Sequence, residues 1–289
     1  KEDIISTLIK SEKKYYGGVI AAAKHLQEFC KKVDVLTNID DFRTINKINN
    51  KNYKILKIND DRFNKSITKT RYISNHFNKK LFETYDQLQT LNTNKFKLKM
   101  KSFLKTKIKD YDIVIVLDFG HGFLDDNFIK IIQNKSKYLA LNVQTNSGNN
   151  GFNLFTKYSK ADLLCIDHNE LRLGTKKRLD DLDKIIKNIN KKNNFKNLVI
   201  TCGKDGSKSF SKEEKDINSM PTLTSNAVDT MGAGDAFISL ASCFSKLGSN
   251  NSIVSLVGNI AGSLKVNILG HENYIKKSNF IKYLKGILI

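Results

Sequence analysis

The chain has 289 residues, 40% of them apolar, and its 49 Lys and Arg outweigh 29 Asp and Glu to give a net charge of +20. That length can bury one substantial core or two small ones, and the apolar share excludes a disordered chain. No run approaches the length of a membrane helix, and the four cysteines (Cys30, Cys165, Cys202, Cys243) and five histidines are scattered with no CxxC pair and no zinc spacing.

In chain order, Lys1-Glu2-Asp3 is neither a leader peptide nor a start methionine, as expected of an excised domain or a trimmed fragment. Gly17-Gly18 opens an apolar stretch that reads as a helix from Val19 to Cys30. Alone, that pair is a helix-start turn, but glycines also let a backbone approach a ligand closely. Val33 to Thr37 reads as a strand. Residues 38–86 break the rhythm. Ser66 to Ile73 looks like a half-exposed strand, so this stretch is expected to form a small antiparallel flap at the sheet edge.

From there strands and helices alternate. Strands are predicted at Ile113–Leu117, Tyr138–Val143, Leu163–Ile166 and Leu198–Thr201, and helices at Lys95–Lys109, Asn127–Asn134 and Asp180–Lys191. Continuous apolar runs of this length fit strands covered on both faces. The alternation implies an α/β fold, a mostly parallel sheet with helices on both sides. Two apolar helices follow, Gly234–Leu247 and Ser252–Ile268, then a last one over Ser278–Lys285 with Gly286 as its stop. With no repeat and no Gly/Pro-rich linker, residues 1–289 read as one domain.

The positive charge is spread along the whole chain, mixed with Asn and Ile, and no nucleic-acid motif accompanies it. We therefore expect no nucleic-acid partner and no membrane partner. A basic surface still attracts phosphorylated small molecules over long range, and salt screens that pull. Cys165 and Cys202 lie in apolar strand-like runs and read as free thiols of a reducing cytoplasm.

The stretch that carries chemistry is Asp229-Thr230-Met231-Gly232-Ala233-Gly234-Asp235, leading straight into an apolar helix. A helix N-terminus presents unpaired N–H groups and a positive dipole end. With only Gly and Ala in the way, those groups can cradle a phosphate. Asp235 falls in the first turn, where the dipole should keep it ionised and weakly basic. Weakness suffices for phosphoryl transfer, in which the hydroxyl proton leaves late. A lone Gly-x-Gly-Asp would be only a capped helix start; the full run is more specific. The reading requires a carboxylate that is not buried and that faces a cleft able to admit a triphosphate.

This run resembles the C-terminal motif of the ribokinase-like (PfkB) carbohydrate kinases, and the resemblance covers nearly the whole chain. It implies a three-layer α/β/α fold with a β flap, a phosphotransferase acting on an alcohol group, and ATP and Mg²⁺ as cofactors. It implies Asp235 as the base, with the amides of Gly232, Ala233 and Gly234 as the anion hole. Gly17-Gly18 resembles the family's early glycine pair beside the sugar. Thr201-Cys202-Gly203-Lys204-Asp205-Gly206 resembles its nucleotide loop, giving Thr201, Gly203 and Gly206 a role there, although Asp-Gly is also a plain hairpin signal. Asn259 matches an Asn near the adenine. Members often pair through their flap strands, so a homodimer is a further expectation.

Three segments are similar to a subgroup, the heptose-phosphate kinases and the sugar kinases fused to nucleotidyltransferases: Lys69 to Ile73 with Lys80 to Glu83, Asp118 to Gly122, and Asn142 to Asn153. They imply a sugar or sugar-phosphate substrate held by Arg71, Asp118 and Asn142. A guanidinium matches phosphate oxygens in pairs, while a solvated Arg71 and a turn-forming Asp118 are the plainer alternatives. Two departures stand out. Where the family carries NxxE for magnesium, this chain has Asp167-His168-Asn169-Glu170, so Asp167 and Glu170 are the expected metal residues. Only 16 residues precede Gly17, so the family's opening strand is expected to be missing. Both departures keep open a second reading, a binding or regulatory domain without turnover.

Overall fold

The computed structural model describes residues 7–39, 49–50, 52–56, 58, 66–74, 79–87, 93–224 and 226–288. The first half contains α1 (Gly18–Leu26), β1 (Val33–Leu36), β2 (Tyr53–Leu56), β3 (Lys69–Ser74), β4 (Lys79–Tyr85), α2 (Asn94–Lys107), β5 (Val114–Asp118), α3 (Asp126–Lys135) and β6 (Leu139–Val143). The second half contains β7 (Lys160–Asp167), α4 (His168–Thr175), α5 (Leu182–Lys192), β8 (Asn194–Thr201), β9 (Ser207–Ser211), β10 (Ile217–Met220), α6 (Ala233–Lys246), α7 (Asn251–Lys265) and α8 (Lys277–Leu288).

The main sheet has the order β5-β6-β7-β8-β9-β10, with β5 to β8 parallel and β9 and β10 antiparallel. Alternation along each strand builds the layers, because successive side chains point to opposite faces. Leu139, Leu141, Leu164, Ile166, Leu198 and Ile200 join the core under α2, α3, α4 and α5. Their neighbours Ala140, Leu163, Cys165 and Val199 pack with Phe237 and Ile238 of α6 and Val254 of α7. The sheet is therefore covered on both faces, as the apolar runs predicted. A third cluster joins α1, β1 and β2 to α6, α7 and α8. Gly258 lets α6 and α7 touch, since a β-carbon there would lie 2.3 Å from the Phe237 ring.

Three expectations need correction. Tyr53–Leu56 was assigned to the antiparallel flap, but β2 pairs in parallel with β1, and Tyr53 and Ile55 are core residues. The flap is β3 and β4, an antiparallel pair with half-exposed faces, and much of the rest of 38–86 lies outside the described residues. Gly286 does not stop the last helix, which runs to Leu288; the glycine sits on an exposed face where no cap is demanded. The helix expected to reach Ile268 ends at Lys265, because the carbonyl of Val266 turns to accept the amides of Val228 and Asp229, 2.9 Å each. Residues 7–17 form no strand; Lys13 and Tyr15 bind Glu272 at 2.7 and 3.0 Å instead.

Candidate active site

Ligands of open α/β sheets bind beyond the carboxyl ends of the strands. Here those ends align: Asp118 is in register with Val143, and Asp167 with Thr201. The start of α6 meets this edge. Its N-cap, Gly232, is left-handed at φ 75°, and a β-carbon there would also come within 2.8 Å of His271. Glycine is thus demanded twice, by backbone and by space. The Ala233 amide is turned back to Thr230 O at 3.3 Å. Among the described residues the amides of Gly232, Gly234 and Asp235 have no acceptor. A β-carbon on Gly234 would meet nothing within 4 Å, so the helix end faces open space. Asp229 shapes the loop, accepting the amides of Met231 and Gly270 at 3.0 Å each. Burial pushes its carboxyl up, but those amides and the nearby Lys80 and Lys265 hold it below the usual aspartate range.

Asp235 follows Gly234 in the first turn of α6. It is buried, at 8% exposure, so the requirement for an unburied carboxylate is not met. Gln144 Nε2 donates to its Oδ1 at 2.7 Å, while its Oδ2 has no hydrogen-bond partner among the described residues. Burial also overturns the expectation that the helix dipole keeps it a weak base. Desolvation raises its pKa to about 6, against the downward pull of Gln144 and Lys265. The same Gln144 Nε2 donates to Asn142 Oδ1 at 2.8 Å, and Asn142 Nδ2 donates to Cys165 O at 2.8 Å. Asn142 therefore stands one step behind the carboxylate, orienting the amide that orients it.

Asp167 and Glu170 form a capping box at the start of α4, with Asp167 Oδ1 accepting Asn169 N and Glu170 Oε2 accepting Asp167 N. Glu170 Oε1 also accepts Thr145 N at 2.8 Å. Burial raises the Glu170 pKa to about 7, with the charges of Asp167 and Asp235 adding to the rise.

Asp118 is engaged by the chain itself. Its carboxylate is buried and accepts from Tyr158 and Lys157 at 2.7 and 2.6 Å, from Gly120 N at 3.0 Å and from Asn153 at 3.3 Å. Gly17 faces His271, and Gly18 (φ 54°) faces the Phe119 ring, which brings the glycine pair beside the loop of Gly232. Arg71 lies on the flap, 3.3 Å from Glu83, with Nη1 2.7 Å from Met231 Sδ. Thr201, Gly203 and Gly206 make the β8–β9 hairpin turn, where a β-carbon on Gly206 would strike Met220 O at 2.0 Å. Asn259 Nδ2 reaches Ser207 Oγ at 3.0 Å, so this Asn and that turn share one corner.

The profile of the pfkB family carbohydrate kinases matches residues 123–270, just over half of the chain. The chain belongs to this family. Among curated relatives, a bifunctional protein HldE of Wolinella succinogenes is 26% identical over 174 residues, 59% of this chain and 35% of that protein. This chain thus spans about a third of that relative's length. An uncharacterized sugar kinase of Buchnera aphidicola is 25% identical over 278 residues, 94% of this chain and 85% of that one. Among solved structures, the ribokinase of Arabidopsis thaliana complexed with ribose and ATP superposes with a TM-score of 0.69 at 13% identity, covering 97% of this chain and 91% of that one. It shares the ribokinase-like fold.

Carbohydrate kinases of the PfkB family are phosphotransferases with an alcohol group as acceptor, and they use ATP, typically with Mg²⁺. Among the described residues no group of three His, Cys, Asp or Glu can hold a metal directly. Glu170 nevertheless lies in the field of two further carboxylates, Asp167 and Asp235. Such hard, negative oxygens fit a magnesium ion held through its waters. Two residues of this PfkB site went unnoticed in the sequence. Gln144 comes just past the end of β6, two residues after Asn142, a signal that was available. Lys265, a lysine inside an apolar helix, was another.

Proposed function

We propose that the chain transfers the terminal phosphoryl group of ATP to a hydroxyl of a sugar or sugar phosphate, a heptose phosphate or related surface-glycan precursor, with Asp235 as base. One observation supports this above the rest: a carboxylate raised to about 6 sits one residue past Gly234, an exposed glycine with an unpaired amide at a helix N-terminus. Gln144 fixes Oδ1, leaving Oδ2 to orient the acceptor hydroxyl and take its proton. The acceptor oxygen bonds to phosphorus, the bond to the ADP oxygen breaks, and the amides of Gly232, Gly234 and Asp235 hold the charge on the moving group. Thr201, Gly203, Gly206 and Asn259 line the nucleotide side. Gly17, Gly18 and Arg71 line the sugar side, with Asn142 and Asp118 positioning from behind. Asp167 and Glu170 would hold Mg²⁺ through its waters, and that ion neutralises phosphate charge when bound.

The heptose assignment draws on the three subgroup-like segments and on the similarity to HldE. Ile73, Leu81 and Phe82 are exposed on the flap strands, the surface through which two copies would pair. The test incubates the protein with ATP, Mg²⁺ and a panel of sugars and sugar phosphates, read by mass spectrometry. A mass gain of one phosphate on a heptose phosphate is expected; a gain only on unrelated sugars would overturn the substrate class. The second reading, a binding domain without turnover, is favoured by the capping box that engages both Asp167 and Glu170. Calorimetry showing nucleotide binding with no product from any sugar would select it.

A further inference from the structure

Lys265 is the last residue of α7 and is completely buried. Its Nζ donates to Gly270 O at 2.8 Å and to Ile268 O at 3.2 Å. A β-carbon on Gly232 would lie 3.3 Å from its Cε, so the lysine stem runs directly against the glycine that starts the anion loop. The turn it binds is tied to the same loop by two more links. Asp229 Oδ2 accepts Gly270 N, and Val266 O accepts the amides of Val228 and Asp229. Burial lowers its pKa and Lys80 adds to that, while the carboxylates of Asp229 and Asp235 favour its charged form.

A lysine that only capped the end of α7 could lay its stem on the surface and keep its head in water. Burying the ammonium is costly unless its donors are met. Here main-chain carbonyls meet two of them, in a cage that an inorganic monovalent cation of similar size could also fill. We propose that Lys265 is a positioning residue for phosphoryl transfer, a tethered cation that fixes the 266–270 turn beneath the anion loop and lends it positive charge, so that turnover needs no added monovalent metal ion. This rests on the kinase reading above. Lys265 acts through Asp229 and Gly232 and does not touch the substrate.

The test compares turnover in tetramethylammonium, sodium and potassium buffers. The unaltered protein should change by less than about twofold between them. Lys265→Ala, which empties the cage, should lose about a hundredfold in kcat with little change in the sugar KM, as for loss of a preorganised anion-binding group. Potassium or ammonium should restore about tenfold of that loss, and lithium, too small for the cage, should not. Lys265→Met, which fills the cage without charge, should show the loss and no rescue. Calorimetry supplies a readout that needs no turnover: Lys265→Ala should weaken ATP relative to ADP, and potassium should reverse that. Potassium activation of the unaltered protein, or a Lys265→Ala defect that no cation relieves in either assay, overturns the proposal. Absence of product from the unaltered protein, with the ATP-against-ADP effect intact, overturns the kinase reading alone.

Discussion

Two helices begin at the same edge of the sheet, each with a carboxylate in its first turn, and they treat their free amides in opposite ways. At α4, Asp167 and Glu170 close the end with a reciprocal capping box, so the helix satisfies its own donors. At α6, Gly232 brings no side chain to cap with, and the amides of Gly234 and Asp235 are left open. The carboxylate of Asp235, in place of folding back on the end, is drawn aside by Gln144. The closed end contributes stability to the protein; the open one leaves its amides for an anion from outside.

The sharpest way to break this contrast is Asp235→Asn. Turnover should fall by about a thousandfold, the range for loss of a general base, with ATP affinity unchanged by calorimetry. The same variant should unfold later. A pKa raised from 3.8 to about 6 means the folded state holds its proton more tightly, so stability is lost as pH rises between those values. At pH 7 the neutral amide should recover about 2 kcal/mol of that loss, read from denaturant melts. An active Asp235→Asn enzyme would remove Asp235 as base.

Gly234→Ala separates helix from site. The residue is helical and open-sided, so alanine should stabilise the fold by about 0.5–1 kcal/mol. Its methyl would intrude on the anion, lowering kcat by about tenfold. Unchanged turnover would show that the open end holds no phosphate. Gln144→Met keeps the volume but removes a bond that holds the Asp235 pKa down. The rise of kcat/KM with pH should then shift from near 6 upward by about one unit; an unmoved profile would mean that Gln144 does not control the base. The smallest effect belongs to the closed end. Asp167→Ala should cost about 1 kcal/mol as a lost helix cap. A higher magnesium requirement in that variant would add a metal role to the cap, and an unchanged one would leave it structural.

Much of this was legible in the sequence because its physics is local. The runs Ile113–Leu117 and Leu198–Thr201 show as strands because each packs against a core on both faces, and the start of α6 shows because two glycines and an alanine precede an apolar helix. Tyr53–Leu56 was placed in the flap because its alternating residues fit an exposed strand as well as a buried one; only its parallel partner Val33–Leu36 decides. The partners of Asp118 were not legible, because Tyr158 and Lys157, 40 and 39 residues later, engage it. Gln144 was hidden by distance, since its partner lies 91 residues on. The pKa of Asp235 was misjudged because a helix dipole can be read from spacing, whereas the depth of a side chain cannot.

The flap also reaches the segment behind Asp235. Glu83 and Tyr85 both fasten on Ser147, and the neighbouring Asn149, with Asn153, holds the carbonyl of Gln144. The flap is therefore joined, through the 147–153 segment, to the Gln144 that holds the Asp235 carboxylate. A change in the flap's Ser147 contacts is thus only a few hydrogen bonds away from Asp235.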